Sequence, residues 1–382
     1  MIKEVISIEL HPVTAACEVI IEWAEETAKY FGANFVLDIS SGELIQQIYS
    51  DVGREMRRSK VTRFVVDFLK WVLLANRPLS HVFPALHSLR ERQFRRARQH
   101  NFANARIPEP KQDFSLPLSI YFLNGTPEIL ACDQKNCIPI FIDVWNDGGI
   151  KYIADSTRNL KLFYVTSRYV YDHVRAEDPN SNIHYMPLSV SDKYYSPNFD
   201  RYRNKTVDVI QFGRKDPVLH EYMLRYASEH RTVDYVYSEI NKELPYASTI
   251  RGNIGTIDGR NGFMQTLASA KVSLVSSSGM DKRITASYGV NFPTPRFYES
   301  AVVGCSLIGR YPDNQEFREL NMSRYCPNIT SYDQFVRELE RALAITPEEL
   351  YAQNRDFILN SLTSKRAAQI QKDLEELTCQ NS

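Results

Sequence analysis

The sequence predicts an α/β protein with two domains, each built around a mostly parallel sheet. Its 382 residues exceed the size of one typical domain. Two domains of about half this length could each bury a hydrophobic core. Short apolar runs bounded by turn residues alternate with longer segments of helical periodicity, which is the pattern of repeated βα units. The composition, 43% hydrophobic and 24% charged, is that of a globular protein and excludes a disordered or fibrous chain.

Two series of apolar runs supply the predicted strands. The runs in the first half of the chain are residues 35–37, 118–122, 138–144, 162–165 and 183–186. The runs in the second half are residues 207–212, 232–236, 272–275 and 306–308. A helix-like segment follows each run, so we expect the two halves to form separate sheets.

The domain boundary is predicted between the two series, where Ser, Asp, Asn, Tyr and Pro are frequent and no regular period is visible. We expect a first domain at 1–190, a linker at 191–206 and a second domain at 207–345. A helical region at about 42–112 does not fit the alternation and is expected to form an insertion or an extended helical arm in the first domain. Helices at 346–382, which open on a Thr-Pro-Glu-Glu capping box, are expected to cross back to the first domain.

The charge of the chain is balanced overall and uneven locally. Lys plus Arg equals Asp plus Glu at 46 each, so no net charge draws the protein toward nucleic acid. Residues 54–98 hold ten Arg and two Lys against three acidic residues, mixed with aromatic and aliphatic side chains. Such a segment suits peripheral contact with an anionic membrane. A solvated basic face on a helical insertion is the alternative, and no RNA-binding motif accompanies the charge.

Cysteine usage and hydropathy predict the compartment. The six cysteines form no CxxC pair and have no histidine at metal-ligand spacing, so we expect reduced thiols and no metal site. No run reaches the roughly 20 apolar residues of a membrane span, and the first residues lack the apolar core of a signal peptide. We therefore expect a cytoplasmic protein, peripheral at the inner face of the membrane where residues 54–98 contact it.

The most informative segment is 291–309, which predicts a loop, a short helix, a tight turn and a strand. Thr294 is the expected N-cap and Pro295 occupies the first helical position. Gly304 supplies the left-handed residue that follows the helix. The apolar positions between them predict a core-facing stripe.

Arg296 and Glu299 are three residues apart and therefore share one face near the start of this helix. The free N–H groups and the dipole of a helix N-terminus favour phosphate oxygens, and a guanidinium beside them suits a diphosphate. A carboxylate one turn further along can accept two hydrogen bonds from a ribose diol. The alternative is an exposed Arg–Glu pair worth about a few tenths of a kcal/mol.

The segment Pro295-Arg-Phe-Tyr-Glu-Ser-Ala-Val-Val-Gly-Cys305 resembles the Arg-x-x-Glu-Ala-x-x-x-Gly-Cys element of GT-B glycosyltransferases. It is most similar to the group-1-like transferases, which include the spore-maturation CgeB-like proteins and capsule or lipopolysaccharide transferases. The resemblance implies two Rossmann-like domains with parallel sheets that face each other across a cleft. Residues 1–190 would then bind the acceptor, and residues 207–345 the nucleotide-sugar donor.

The same resemblance assigns roles within the helix. It implies that Glu299 holds the donor ribose. The helix start, which comprises Thr294, Arg296 and Phe297, would face the diphosphate. Retaining members of the largest GT-B family carry Glu-x7-Glu, and the first glutamate of that pattern falls on Asn291 here. The sequence therefore leaves the retaining and inverting outcomes both open.

Two further turns are similar to donor-binding loops of the family. Gly213, Arg214 and Lys215 follow the first predicted strand of the second domain, as in the GT-B loop whose backbone N–H groups meet the donor phosphates. Ser277 and Ser278 follow the third strand of that domain, at the carboxyl end where open α/β sheets bind ligands. A surface turn and an ordinary serine-rich loop are the alternatives.

Candidate bases lie in the first domain, because a GT-B acceptor binds there. Asp143 and Asp147 lie at or just after the carboxyl end of the predicted strand at 138–144. An aspartate in that place could take the proton from an acceptor hydroxyl. A buried, hydrogen-bonded carboxylate for Asp143 and a turn or helix cap for Asp147 are the alternatives. A retaining enzyme needs no protein base, because the leaving phosphate can assist.

Together these residues predict a glycosyltransferase that moves a sugar from a nucleoside diphosphate sugar to a glycan or lipid-linked acceptor, in the synthesis of a surface polysaccharide. We expect no metal or other cofactor, because the helix start and the nearby cations would neutralise charge on the leaving group. A nucleotide-sugar epimerase on the same fold and a non-catalytic subunit that binds a nucleotide or glycan remain alternatives.

Overall fold

The structure is a computed structural model, and it describes several stretches of the chain. They are residues 2–8, 15–38, 112–124, 136–144, 147–197, 200–213, 215–238, 246–257, 259–277, 280 and 291–380. The basic segment at 54–98 and most of the insertion expected at 42–112 lie outside these stretches. Within them, none of the helices has the length and hydrophobicity needed to cross a membrane.

The first sheet is entirely parallel. Its strands are β1 (Ile2–Ile8), β2 (Asn34–Asp38), β3 (Leu118–Asn124), β4 (Cys137–Ile142), β5 (Phe163–Val165) and β6 (Ile183–Tyr185). They lie in the order β2-β1-β3-β4-β5-β6. The helices of this domain are α1 (Ala15–Phe31), α2 (Asp147–Ser156) and α3 (Arg168–Glu177). Strands β3 and β4 are buried along almost their whole length, which is why the sequence reads there as unbroken apolar runs.

The second sheet is parallel in its centre and antiparallel at one edge. Its strands are β7 (Val207–Gln211), β8 (Tyr235–Ser238), β9 (Tyr246–Ser248), β10 (Gly252–Gly255), β11 (Ala270–Ser276) and β12 (Ser306–Arg310). They lie in the order β10-β9-β8-β7-β11-β12. Strands β7, β8, β11 and β12 pair in parallel, whereas β9 and β10 extend the edge as an antiparallel pair.

The remaining helices surround the second sheet or close the chain. They are α4 (Asp200–Arg203), α5 (Pro217–Glu229), α6 (Gly259–Ala268), α7 (Pro295–Val302), α8 (Gln315–Glu319), α9 (Met322–Tyr325), α10 (Tyr332–Ala344), α11 (Pro347–Ser361) and α12 (Thr363–Gln380). Helix α7 has Thr294 at its N-cap position and is followed by Gly304 at φ +81°, as the sequence predicts. Helix α11 opens on the predicted capping box of Thr346 and Glu349.

The predicted fold class is confirmed, because the chain forms two Rossmann-like domains whose mostly parallel sheets face each other across a cleft. Each predicted strand is found within a few residues of its expected ends. The sequence did not predict β1, β9 or β10. Lys3 and Glu4 interrupt the apolar run of β1, while β10 is exposed and begins and ends with glycine. Neither strand therefore has the continuous apolar pattern of the central ones.

The chain crosses between the two domains twice, and the crossings lie side by side. The first follows β6, and the second is the turn between α11 and α12. The N–H of Val190 donates to the carbonyl of Ser361 at 2.9 Å, and the N–H of Thr363 donates to the carbonyl of Val190 at 3.1 Å. Val190 and Leu362 thus form a parallel β-bridge.

Helix α12 packs against the first domain after the second crossing. The hydroxyl of Tyr30 in α1 donates to Gln371 at 3.0 Å. Asp373 accepts a hydrogen bond from the hydroxyl of Tyr164 at 2.7 Å and lies 3.1 Å from Nδ1 of His184. The first domain is therefore assembled from two separate parts of the sequence.

Candidate functional site

A cavity of about 320 Å³ lies between the two domains, at the carboxyl ends of strands from both sheets. Its first wall comes from α1 and from the residues that follow β4 and β6. Its second wall comes from the turn after β7, the end of β11 and the start of α7. Open α/β sheets bind ligands at the carboxyl ends of their strands, and pockets for small molecules start at about this volume.

Five of the predicted donor residues line this cavity. They are Gly213, Lys215, Ser277, Thr294 and Arg296. They come from three separate segments, which meet because β7 and β11 are neighbours in the sheet and α7 starts beside the end of β11. The structure therefore places these side chains around one space, although almost eighty residues separate the first segment from the last.

The turn after β7 lies directly against Arg296. Gly213 has a φ of +74°, and a Cβ atom on it would be 3.3 Å from Nε of Arg296. Glycine adopts this backbone conformation without steric cost and leaves room for the guanidinium. A larger residue at this position would disturb both the turn and the arginine.

The start of α7 is tied to the end of β11 by side chains. Thr294 makes no capping hydrogen bond through its side chain, and its hydroxyl donates instead to the carbonyl of Ser276 at 3.4 Å. The hydroxyl of Ser277 donates to Oδ1 of Asn291 at 3.3 Å. Asn291, on which the sequence resemblance places the first glutamate of the retaining pattern, thus lies next to Ser277 on the cavity wall.

Two predicted donor residues fall outside the described structure, and Phe297 does not line the cavity. Arg214 and Ser278 lie outside the described residues. Phe297 is fully buried, and its ring packs 5.8 Å from that of Phe317 in α8. Successive helical residues are rotated by about 100°, so Phe297 points into the core while Arg296 points to the cavity. The ring of Phe297 therefore packs on the core side of α7 and does not line the cavity.

Glu299 lies behind Arg296 and is almost completely buried, with 1% of the residue exposed. Its Oε2 accepts a hydrogen bond from Nη1 of Arg296, and its Oε1 accepts one from Nη1 of Arg260 at 2.5 Å. The Nε of Arg260 donates in turn to Oε2 of Glu22 in α1, at 3.0 Å. The carboxylate expected at the ribose is therefore held between two arginines.

The two arginines decide the charge of Glu299. Burial alone would raise the pKa of this carboxyl, but the charges of Arg296 and Arg260 outweigh it and hold the pKa below its ordinary value. The pKa of Arg260 is raised, because Glu299 and Glu22 overcome the opposing effect of burial. Glu299 and Arg260 are therefore both ionised at neutral pH.

Positive charge faces the cavity from the second domain. Lys215 lies 4.9 Å from the ring centre of Tyr237, and Arg296 is the second cation. Asp216 also lines the cavity, but Nη1 of Arg310 lies 2.9 Å from both of its oxygens. Its Oδ1 also accepts hydrogen bonds from two backbone N–H groups at the start of α5. Because Asp216 is neutralised in this way, the wall has a net positive charge suited to an anion.

Buried donors near the cavity have spare hydrogen-bonding capacity. Nε of Arg296, Nη2 of Arg260 and Nε1 of Trp23 are buried, and none has a hydrogen-bond partner within the described part of the chain. Trp23 in α1 lines the cavity from the first domain. An unsatisfied buried donor costs about 1–3 kcal/mol, so a ligand or water that accepts hydrogen bonds from these groups would recover that cost.

One of the two catalytic candidates, Asp143, lies on the opposite wall. Asp143 follows β4, lines the cavity and is partly buried. Its φ of +54° is unusual for a residue other than glycine, and backbone strain of this kind occurs often at functional sites. Asp147 is the first residue of α2. In the described stretches, no group of three His, Cys, Asp or Glu side chains is arranged to hold a metal ion.

Sequence reasoning missed Trp23, Glu22 and Arg260. Glu22 and Arg260 are 238 positions apart in the sequence, and neither belongs to a recognisable motif. A single acidic residue on α1 and a single arginine at the start of α6 carry no local signal. Only the docking of the two domains reveals that they are partners.

Neither a protein family nor a curated protein matches the sequence. A crystal structure of the GtfA/B complex matches at 11% identity and a TM-score of 0.43, over 74% of this chain and 60% of the other. A structure of accessory secretory proteins 1, 2 and 3 from Streptococcus pneumoniae matches at 8% identity and a TM-score of 0.44, over 75% of this chain and 57% of the other. The chain therefore spans about three fifths of these structures' length.

The fold assignment depends on the strand order, on the pairing within each sheet and on the position of the cavity between them. On these observations the chain forms two Rossmann-like domains whose mostly parallel sheets face each other across a cleft.

Proposed function

We propose that the protein is a glycosyltransferase that moves a sugar from a nucleoside diphosphate sugar to a glycan or lipid-linked acceptor, in the synthesis of a surface polysaccharide. The observation that supports this most is the convergence of Gly213, Lys215, Ser277, Thr294 and Arg296 on one cavity at the strand ends. Two cations, a helix start and small hydroxyl side chains form a suitable environment for a diphosphate.

In this proposal the second domain binds the donor and the first domain binds the acceptor. Lys215, Arg296 and the N–H groups at the start of α7 neutralise the negative charge that grows on the leaving diphosphate. This stabilisation takes the place of a divalent metal, so the proposed reaction needs no cofactor. Glu299 reaches a ribose hydroxyl only when Arg296 turns from the carboxylate to the phosphate, because Glu299 is buried behind it.

The acceptor side of the proposal depends on Asp143. Asp143 lines the cavity wall opposite the cations, so in an inverting displacement its carboxylate would accept the proton of an acceptor hydroxyl. Asp147, at the start of α2, is the second candidate. In a retaining reaction the leaving phosphate performs this task. Residues 54–98 would bring the enzyme to an anionic membrane that carries a lipid-linked acceptor.

A nucleotide-binding subunit without transferase activity is the second candidate function. The observation that favours it is the double pairing of Glu299, whose oxygens both accept hydrogen bonds from arginines. If that arrangement persists when a nucleotide binds, the ribose contact expected of a transferase is absent.

The first experiment is a calorimetric screen of UDP, GDP, CMP, dTDP and ADP and their common sugars. One of these nucleotides should bind, and Arg296→Gln should raise its Kd about 10- to 100-fold, because a hydrogen bond to a charged group contributes about 1.5–3 kcal/mol. Lys215→Gln should weaken binding in the same direction without disturbing Glu299. Arg318→Gln is the matched control, since Arg318 is exposed and pairs only with Asp313 among the described residues. No binding by any nucleotide would refute the proposal.

The second experiment separates an enzyme from a binding subunit. Wild type should release free nucleoside diphosphate from the donor that it binds, and EDTA should leave the rate unchanged. If Asp143 is the base, Asp143→Asn should slow acceptor-dependent release about 100-fold or more at an unchanged donor Kd. Binding without release, even with acceptor extract present, would favour the second candidate.

A further inference from the structure

Four charged side chains of alternating sign form a continuous series of ion pairs from the first domain to the cavity. Glu22 in α1 accepts a hydrogen bond from Arg260 in α6 at 3.0 Å. Arg260 donates to Glu299 in α7 at 2.5 Å, and Glu299 pairs with Arg296. The side chains of Glu22, Arg260 and Glu299 are 10%, 9% and 1% exposed, whereas Arg296 at the cavity is 23% exposed. This series of ion pairs thus begins in the acceptor-side domain and ends at Arg296, the cation proposed to bind the donor phosphates.

Glu22, at the far end of this series of ion pairs, is held by the segment that connects the domains. The hydroxyl of Tyr194 donates to Oε1 of Glu22 at 2.6 Å, and Nζ of Lys193 lies 2.7 Å from the same oxygen. Both residues belong to a short 3-10 turn, Asp192–Tyr194. Glu22 is therefore held in one orientation, and Arg260 receives a fixed partner.

Helix α6 also supports the arginine at the cavity directly. The guanidinium of Arg296 lies 4.4 Å from the ring centre of Phe263, and that of Arg260 lies 5.6 Å from the same ring. Arg260 and Phe263 are three residues apart and so share a face of α6. One face of this helix consequently fixes Glu299 through a charge and Arg296 through an aromatic ring.

This arrangement is costly if its only purpose is stability. Each buried charge loses several kcal/mol of hydration, and a buried ion pair is often no more stable than an apolar pair of the same volume. Nη2 of Arg260 and Nε of Arg296 also lack hydrogen-bond partners within the described stretches. The series of ion pairs instead fixes the orientation of each side chain, because each carboxylate is held by at least two donors.

We infer that Arg260 is a positioning residue for donor binding, and that Glu22 makes its action depend on the docking of the two domains. Arg260 holds the carboxylate of Glu299, and that carboxylate directs the Arg296 guanidinium to the cavity before the donor binds and stays in place when Arg296 turns to the phosphate. Arg260 is not among the residues that line the cavity, so it acts through Glu299. The inference rests on the proposed function, because it concerns affinity for a nucleoside diphosphate.

A consequence is that the donor site is complete only when the domains are docked. Glu22 belongs to the domain proposed to bind the acceptor, yet it should control the affinity for the donor. Separation of α1 from α6 would leave Arg260 with Glu299 alone and loosen the direction of Arg296. Donor binding and domain closure therefore favour each other.

The test measures the Kd of the nucleoside diphosphate that wild type binds best, by calorimetry, for Arg260→Gln, Arg260→Lys and Glu22→Gln. Arg260→Gln should raise the Kd at least 10-fold, and Glu22→Gln should raise it several-fold although Glu22 is on the other domain. Arg260→Lys should recover part of the loss, because it restores the charge. Arg251→Gln is the matched control, since Arg251 lies in the same domain and pairs with Asp234 at 2.8 Å, and its Kd should equal that of wild type.

Thermal melts of each variant separate positioning from folding. A merely structural role lowers the melting temperature and leaves the Kd of the folded protein unchanged, and that result with both Arg260→Gln and Glu22→Gln overturns the inference. If Arg260→Gln does not fold, Arg260→Lys and Glu22→Gln decide the matter in the same way. Absence of nucleotide binding by wild type would instead reject the proposed function itself, so the two failures are distinguishable.

Discussion

Two buried glutamates join the domains at two different places, and their partners differ in kind. Glu299 in α7 is 1% exposed and lies between two guanidinium groups. Glu316 in α8 is 3% exposed, and it accepts hydrogen bonds from the backbone N–H of Arg168 and from the hydroxyl of Tyr185, both at 3.0 Å. The charges of Arg296 and Arg260 overcome the burial of Glu299, and its pKa is lowered. Burial dominates at Glu316 and raises its pKa to about 7.

The comparison shows that burial alone does not set the ionisation of a carboxyl group. A full positive charge at hydrogen-bonding distance stabilises the ionised form far more than two neutral donors do. The guanidinium of Arg168 is nearby, but it pairs with Asp172 at 3.0 Å and with Glu319 at 3.3 Å. Glu299 is therefore ionised at every physiological pH, whereas Glu316, at the contact of α8 with α3, gains or loses a proton near neutrality.

The largest expected effect comes from breaking the charged contact. Glu299→Ala should lower the free energy of unfolding by about 3–5 kcal/mol, because it leaves two buried or half-buried arginines without their shared carboxylate. Urea unfolding monitored by circular dichroism would measure the loss. Glu348→Ala is the control, since Glu348 is exposed and pairs with Arg203 on the surface. A loss below about 1 kcal/mol would show that the arginines find other partners.

A smaller and pH-dependent effect is expected at the other glutamate. In the folded protein Glu316 keeps its proton up to about pH 7, whereas in the unfolded chain it releases the proton near its ordinary value of 4.5. Between these values the folded state binds more protons, so this group lowers the free energy of unfolding as the pH rises. Glu316→Gln should remove that decrease and stabilise the protein by up to about 3 kcal/mol at pH 8, with little effect near pH 4.

Thermal and urea unfolding from pH 4 to pH 8 would check this expectation. Glu348→Gln is the control, because Glu348 is exposed and its ion pair, with Arg203, lies on the surface. Parallel profiles for wild type and Glu316→Gln would mean that Glu316 ionises normally in the folded state. The comparison between the two glutamates would then lose its basis.

The smallest effect concerns the neutral donor of the second contact. Tyr185→Phe removes the hydroxyl bonded to Glu316 and should lower the free energy of unfolding by about 1 kcal/mol. The loss should be greater at pH 8 than at pH 5, because a hydrogen bond to an ionised carboxylate is the stronger one. Urea unfolding at both pH values measures the difference. An equal loss at the two values would place the ionisation of Glu316 outside this range.

The sequence predicted what is local and regular. The central strands have continuous apolar patterns, and α7 has an N-cap position, a proline and a closing glycine, so their positions were predictable. The shared face of Arg296 and Glu299 follows from helical geometry. The resemblance to GT-B transferases added the expectation that this helix meets a cavity, and Arg296 does line one.

The sequence could not predict what depends on the packing of distant segments. The partner of Arg260 on α1 is set by domain docking, and no local pattern encodes it. Phe297 was expected at the donor because it adjoins Arg296, but the packing of α8 draws its ring into the core. Glu299 was expected to be open to a ribose, and its burial follows from the position of α6. Each difference comes from contacts between segments far apart in the chain.

The paired crossings near Val190 and Leu362 restrict how the two domains can move. Backbone hydrogen bonds join the two crossing segments, so these segments should bend together and act as a single hinge. Ser189, next to this hinge, lines the cavity, so that wall should shift little during a rotation. The opposite mouth of the cleft has the longer lever arm and should open furthest. Entry and exit of ligands are therefore expected on the side away from the crossings.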